Sequence, residues 1–201
     1  MKRMIVGLLA VLFLSLGAGA QAQTSEAPSA QGLSLWGQIH EVLSHPRCSN
    51  CHVGADNIPI WSGPHYGDVA RAHGMNVNAG DGATGPGSIR DGAGTIPCST
   101  CHTKHNSGIL HGPPGAHVWA LAPVTMQWFD KRSKDICEQI KDPARNGNRT
   151  IDDVADHIGH DELVHWGWAP GPGREPAPYS ADELVVFILQ WDALGAPCPA
   201  Q

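Results

Sequence analysis

Two five-residue stretches of this chain combine cysteine and histidine at one fixed spacing. Both read C-x-x-C-H, which is typical of the covalent attachment of a c-type haem. Two thiols separated by two residues reach the two vinyl groups of one porphyrin, and the histidine that follows supplies the proximal nitrogen ligand of the iron. The sequence therefore predicts two haem c groups, attached through Cys48, Cys51, Cys98 and Cys101, with His52 and His102 as proximal ligands.

The same four cysteines could instead form a zinc ribbon. However, 46 residues separate Cys51 from Cys98, which exceeds the usual gap in a zinc ribbon. A four-cysteine zinc site would also leave both motif histidines without a role. The spacing therefore favours haem over zinc.

Each iron has a second axial position, for which ten other histidines, Met75 and Met126 compete. A loop that leaves the proximal face needs some length before it can return over the opposite face of its own porphyrin. His73 and Met75 follow the first motif by about twenty residues, and His117 follows the second by about fifteen. We predict His73 and His117 as distal ligands, with Met75 as the rival at the first site. Methionine at this position raises the reduction potential relative to histidine.

Four other histidines have weaker claims. His45 is too close to Cys48 to reach around its own haem, although it could ligate the other one. His157, His160 and His165 could suggest a third metal site, but no carboxylate or cysteine pattern completes a known motif.

Two cysteines and one loop each have two interpretations. Cys137 and Cys198 predict a disulfide that ties down the C-terminal tail, the alternative being free thiols or a bond to another subunit. The tryptophan- and proline-rich loop over 166–178 either docks a partner or packs on a haem edge.

The elements that must position these residues are short helices joined by long Gly- and Pro-rich loops. Apolar spacing predicts a helix over 34–44 that ends before Pro46 and delivers the chain to Cys48. Between 54 and 97 helical periodicity disappears and turn signals recur, so we predict a haem-wrapping loop there.

Three further helices are predicted after the second motif. Ser133 is the expected N-cap of the first, which runs to about Lys141, and the second covers 151–164. The last has a capping box formed by Ser180 and Glu183, with Gly195 at the position after its end. The expected fold class is mainly α: a loop-rich dihaem cytochrome c domain with short helices packed around two covalent haems.

The N-terminal residues have the pattern of a secretory signal peptide. Lys2 and Arg3 precede an apolar run over 4–16, and an Ala-x-Ala cleavage signal ends at Ala22. Thirteen apolar residues are too few to span a bilayer, although a retained anchor is the alternative. We predict a periplasmic, exported protein without stable membrane insertion, in a compartment that also tolerates disulfides.

The expected organisation is a signal peptide (1–22), a flexible segment (23–32) and one domain (33–201). Within that domain, 33–95 serves haem 1, 96–130 serves haem 2 and 131–201 is helical. Without the leader, eleven basic and nineteen acidic residues remain, a formal charge of −8. Such a charge argues against binding to nucleic acid and suits a partner with a basic docking patch.

Several stretches together resemble one group of proteins. They are His45–His52, His73–Val77, Ile96–His102 and the loop Trp166–Pro178. Over most of the mature chain they resemble small exported dihaem proteins that are labelled cytochrome-type subunits of isoquinoline 1-oxidoreductase-like molybdenum hydroxylases. The resemblance implies that the protein accepts electrons from a periplasmic dehydrogenase, while the hydroxylase chemistry belongs to another polypeptide.

The expected function is therefore electron transfer between a dehydrogenase donor and a downstream cytochrome or oxidase. A dihaem enzyme, such as a peroxidase or a small-oxyanion reductase, is the alternative, although no catalytic acid–base constellation is evident in the sequence. A haem-based sensor is a third possibility, against which the lack of an output domain argues.

Overall fold

The computed structural model describes residues 29–63, 67–80, 90–93 and 96–201, and α-helices make up most of the regular secondary structure over these residues. This is compatible with the mainly α class, while the predicted signal peptide lies outside the described residues. The helices are α1 (Ala30–Leu43), α2 (Pro46–Ser49), α3 (Ser133–Lys141), α4 (Ile151–His160), α5 (Glu162–His165) and α6 (Ala181–Ala193). The strands are β1 (Ile60–Gly63), β2 (Gly67–Ala72), β3 (Gly92–Ala93) and β4 (Ile96–Pro97). None of the described helices is both long and apolar enough to cross a membrane.

Helix α1 begins earlier than its apolar pattern predicts. The hydroxyl of Ser29 accepts a hydrogen bond from the Gly32 amide (3.0 Å), so Ser29 caps the helix N-terminus. The last three residues of the predicted flexible segment, 30–32, are therefore helical. The hydrogen bond of the cap sets the start of the helix here, because the first turn contains few apolar side chains that could show a helical pattern.

The main core lies between α1, α3, α4 and α6. Its largest fully buried side chains include Trp36 of α1 and Trp191 of α6, whose ring centroids are 5.2 Å apart. Ile136, Ile158 and Leu184 are buried beside them. Each such side chain contributes about 1.5–3 kcal/mol on burial, so this helical cluster forms the rigid support for the loops.

The single helix predicted over 151–164 is two helices in the structure. Thr150 and Asp153 form a capping box that starts α4. Asp161 then has an extended backbone, and its carboxylate accepts hydrogen bonds from the amides of Leu163 and Val164, which starts α5. The prediction of one helix was wrong because an apolar pattern continues through a break that a capping side chain creates.

The other two predicted helices are confirmed. Helix α3 ends at Lys141, as predicted, but its N-cap is Arg132 and not Ser133, whose hydroxyl instead accepts from the Trp36 indole (2.8 Å). Helix α6 has both hydrogen bonds of the Ser180–Glu183 capping box, and Gly195 follows its end with a φ of 81°, which glycine adopts without strain.

The segment between the two motifs is irregular and contains no described α-helix, as its turn signals predict. It also contains an antiparallel hairpin, β1–β2, with Ile60 opposite Ala72, which the sequence did not predict. The His73 amide continues the pairing by donating to the Pro59 carbonyl (2.9 Å). The hairpin therefore fixes where His73 leaves the strand.

A disulfide joins Cys137 of α3 to Cys198, as the two remaining cysteines predict. The Trp191 indole N–H donates to the Pro197 carbonyl beside it (2.9 Å). The C-terminal tail is thereby held against α3 and α6.

Candidate functional site

The first motif begins on the short helix α2. Pro46 occupies its first turn, and the amides of Cys51 and His52 both donate to the Cys48 carbonyl (3.1 and 3.3 Å). Residues three apart lie on the same side of a helical turn. The turn therefore presents the Cys48 and Cys51 thiols together.

The second motif repeats this backbone arrangement. A 3₁₀ turn covers Cys98–Thr100, and the amides of Cys101 and His102 both donate to the Cys98 carbonyl (3.2 and 2.9 Å). All four motif cysteines are free thiols, in contrast to Cys137 and Cys198. Each motif thus has two thiols and one imidazole available for a ligand.

Each motif borders its own cavity. Cavity 1, of about 630 Å³, is lined by Cys48, Cys51 and His52 together with side chains from α1, α4, α5 and α6. Cavity 2, of about 370 Å³, is lined by Cys98, Cys101 and His102 together with the hairpin and the loop that follows the second motif. Both volumes lie within the range of about 300–1,000 Å³ that is typical of pockets for organic ligands.

The His52 ring is oriented by contacts on two sides. Its Nδ1–H donates to the Met126 carbonyl (2.7 Å), and its face stacks on Trp128 with centroids 3.4 Å apart and planes within 4°. Burial is the main cause that lowers the pKa of His52 to about 3, so the ring is neutral. With the proton on Nδ1, Nε2 keeps the free lone pair that a metal ligand needs.

The His102 ring is held in the same way. Its Nδ1–H donates to the Pro114 carbonyl (2.9 Å), and it stacks on Trp119 with centroids 4.6 Å apart and planes within 1°. Burial lowers the pKa of His102 below its ordinary value. Both motif histidines are therefore neutral imidazoles with a fixed orientation and a free Nε2.

Three of the four motif thiols have raised pKa values. Burial raises the pKa of Cys48 to about 12 and that of Cys51 to about 11, and it also raises the pKa of Cys98. Thioethers form from thiols and vinyl groups, so these protonated thiols suit covalent attachment. Within the described residues no group of three or more His, Cys, Asp or Glu side chains could hold a metal ion. The described residues therefore form no ligand cluster of the kind that a zinc ribbon, or a third metal site around His157, His160 and His165, would need.

His73 and Met75 line cavity 2, the cavity of the second motif. The sequence predicts this loop at the first site, whereas the structure places it beside the second. The β1–β2 hairpin contributes to this placement, because its pairing sets where His73 leaves β2. The Nδ1–H of His73 donates to the Gly74 carbonyl (2.9 Å), which leaves Nε2 available to bind a ligand.

The His73 and His102 rings have the separation of a pair that shares one metal ion. Their centroids are 6.0 Å apart. Because a first-row metal binds imidazole nitrogen at about 2.0–2.1 Å and the centroid lies about 1.2 Å further out, two imidazoles on opposite sides of one ion have centroids about 6–6.5 Å apart. Met75 is 73% exposed, so His73 is the better placed of the two rivals.

His117 lines cavity 1 instead of the cavity of its own motif, and its side chain is exposed. The sequence predicts it at the second site, so the structure places it differently from that expectation. His157 and His160 line cavity 1 as well. Sequence reasoning missed His157 as a candidate ligand, although its position three residues after Val154 places it on the apolar face of α4.

The structure also places His45 and the two tryptophans of the 166–178 loop. His45 does not line either cavity: it caps α2, with its Nδ1 accepting from the Arg47 amide (3.3 Å). Trp166 lines both cavities and Trp168 lines cavity 1, which favours packing against a bound group over docking of a partner.

The side chains around the cavities fit a haem, which combines a flat apolar ring with two carboxylates. The indole N–H groups of Trp128 and Trp168, both in the lining of cavity 1, are buried without an acceptor among the described residues. Arg47 lines both cavities, and Arg174 lines cavity 2. The walls thus match the ring, and the N–H and guanidinium donors match carboxylates.

Comparisons with known proteins returned no relatives. No family model, no curated protein and no solved structure matches this chain. The function therefore has to be argued from the geometry of the two cavities.

Proposed function

We propose that this chain is an exported dihaem c-type cytochrome that transfers electrons between other proteins. One observation carries the proposal: at both C-x-x-C-H motifs, a backbone carbonyl accepts the Nδ1–H of the histidine, beside a cavity that the two thiols also line. This arrangement leaves Nε2 free to bind iron. A haem held there supplies a one-electron couple.

The residues of this chain have three tasks in that function. The four thiols attach the ring, and the two motif histidines hold the iron through Nε2. The stacked indoles of Trp128 and Trp119 keep the imidazoles in place, and the apolar walls exclude water. Together they keep the coordination fixed, so that electron transfer requires little rearrangement.

The two sites are neighbours. Five residues line both cavities, namely Arg47, Cys51, Ala120, Leu121 and Trp166. Trp166 also contacts Trp119 edge to face at 5.1 Å. A shared wall supports the proposal because it brings two redox groups close enough to relay an electron through one small domain.

The proposed partners are a periplasmic dehydrogenase of the molybdenum hydroxylase type as donor and a cytochrome or oxidase as acceptor. The resemblance of the motifs and the Trp166–Pro178 loop supports the donor. The acidic balance of the chain supports docking on a basic surface. Transfer to a basic acceptor protein should then slow as ionic strength rises.

Mass spectrometry of the exported, purified protein tests the proposal. We expect an added mass of two haems, and one haem fewer in both the Cys48→Ala/Cys51→Ala and the Cys98→Ala/Cys101→Ala variants. An unmodified polypeptide would rule out the cytochrome. Two haems together with rapid turnover of peroxide by the isolated chain would assign the alternative, a dihaem enzyme.

A further inference from the structure

Cavity 2 is lined by two imidazoles whose centroids are 6.0 Å apart, His73 and His102, and cavity 1 is lined by His52 and three other histidines. These are His117, His157 and His160. They differ in burial and in what holds the ring, so the structure can rank them as partners of His52.

His157 belongs to the buried face of α4. Val154 and Ile158, its neighbours on that face, are both buried, and the His157 side chain is 38% exposed. The His157 side chain lines cavity 1 together with His52.

A carboxylate lies behind the His157 ring. Oδ2 of Asp161 is 3.5 Å from Nδ1 of His157. Oδ1 of the same carboxylate accepts from the Leu163 and Val164 amides (2.9 and 3.1 Å), which fixes its direction. A carboxylate at Nδ1 keeps the proton there and leaves Nε2 as the basic nitrogen, as in many metal-binding histidines. The break between α4 and α5 thus serves to orient this ring.

The two rivals are more exposed. Nδ1 of His160 lies 3.0 Å from both the carbonyl oxygen and Oδ1 of Asp156, but the His160 side chain is 78% exposed and that of Asp156 is 75% exposed. His117 is exposed at the edge of the cavity. Only His157 combines partial burial with an anchored carboxylate.

We propose that His157 is the second axial ligand of haem 1 and that Asp161 positions its ring. This inference rests on the proposed function. With His73 opposite His102, both irons then have two imidazole ligands and are six-coordinate and low-spin. Neither reduced iron should bind carbon monoxide readily.

The test compares His157→Ala with His160→Ala and His117→Ala as matched controls in the same cavity lining. In His157→Ala we expect one of the two haems to become high-spin by absorption and electron paramagnetic resonance, and the reduced protein to bind one carbon monoxide per chain. Added imidazole should restore the low-spin signal. Both controls should keep the wild-type spectrum.

Two further variants cover a failure of His157→Ala to fold. His157→Met keeps a ligand, and it should raise the reduction potential of one haem and leave the other unchanged. Asp161→Asn keeps the cap of α5 but removes the charge behind His157, so it should raise the same potential with both haems still low-spin.

The outcomes separate the two proposals. A wild-type protein without haem overturns the proposed function. Two attached haems with an unchanged spectrum in His157→Ala, or a high-spin haem in His117→Ala or His160→Ala, overturn only the assignment of His157.

Discussion

Arg90 is a charged side chain buried in the interior, with only 1% of its surface exposed. Its guanidinium donates to the carbonyls of Val53, Gly54 and Ala122 and to the side-chain oxygen of Asn57. Four of these hydrogen bonds are 2.7–3.0 Å long. Burial lowers its pKa from the ordinary value. Because Val53 and Gly54 directly follow His52, this one side chain holds the exit of the first motif in place.

Replacing Arg90 should strongly destabilise the protein. Arg90→Ala removes several hydrogen bonds from a charged group, each worth about 1.5–3 kcal/mol, and leaves their buried acceptors unpaired. We expect a loss of about 3–5 kcal/mol in the free energy of unfolding, measured by urea denaturation of the haem-loaded protein. Arg71→Ala, on the exposed β2, is the control and should change it by less than about 0.5 kcal/mol. Equal midpoints for the two variants would contradict the role of Arg90.

A second prediction concerns the two rival ligands in cavity 2. His73→Ala should make one haem high-spin, because it removes the ring that lies 6.0 Å from His102. Met75→Ala should leave the spectrum unchanged, because Met75 is exposed. Absorption spectra of the two variants decide the question. A spectral change in Met75→Ala alone would assign the thioether instead.

At the scale of elements, the loop after the second motif is packed so tightly that one position requires glycine. A Cβ at Gly115 would overlap the backbone oxygens of Thr103 and His105. The Gly115 amide donates to the side-chain oxygen of Asn106 (3.0 Å), which also accepts from Trp166 (2.9 Å). The carbonyl of the preceding residue, Pro114, accepts the Nδ1–H of His102. The packing around Gly115 therefore affects the orientation of the His102 ring at the second site.

Gly115→Ala should disturb the second site and spare the first. The new methyl group displaces the backbone next to the Pro114 carbonyl, so we expect a shift in the reduction potential of one haem and a lower unfolding midpoint. Gly108→Ala, in the same loop but with open space around the added Cβ, is the control and should match wild type. Redox titration of both variants makes the comparison. Identical titrations would show that the close approach has no influence on His102.

The sequence predicted elements well where their signals are local. The Ser180–Glu183 capping box of α6 and the stop signal after Lys141 in α3 depend only on neighbouring residues, and the structure agrees with them. The sequence failed at the break before α5, because the Asp161 side chain competes with the helix backbone for amide donors. It also missed the β1–β2 hairpin, whose pairing a turn-rich composition does not reveal.

At the scale of the whole molecule, the partners of each motif come from distant parts of the chain. His73 follows the first motif in sequence and lines the cavity of the second, while cavity 1 receives His117 and His157 from beyond the second motif. The entropic cost of closing a loop grows only slowly with its length, so distance along the chain is a weak guide to which site a residue serves. The two C-x-x-C-H motifs could be recognised in the sequence because their spacing alone indicates the chemistry. The second ligand at each site depends on the fold and could not.

The disulfide should stabilise the whole chain without altering either proposed haem site. Cys137 and Cys198 do not line the cavities, and their bond closes a loop over 61 positions of the sequence. The Cys137→Ser/Cys198→Ser variant should lose about 2–4 kcal/mol in the free energy of unfolding. Its absorption spectrum should remain that of wild type. A changed spectrum would show that the C-terminal tail also controls the coordination of an iron.

The walls of cavity 1 extend from Ile39 in α1 to Trp191 in α6. A chain exported from its N-terminus delivers Cys51 and His52 long before α4 and α6 arrive. If the proposed function is correct, the porphyrin is attached to a short, still unfolded peptide. Helices α4 and α6 then pack against the attached porphyrin. The cofactor would act as a template for maturation, and a polypeptide truncated before α6 would still be haemylated while its first iron stayed open to solvent.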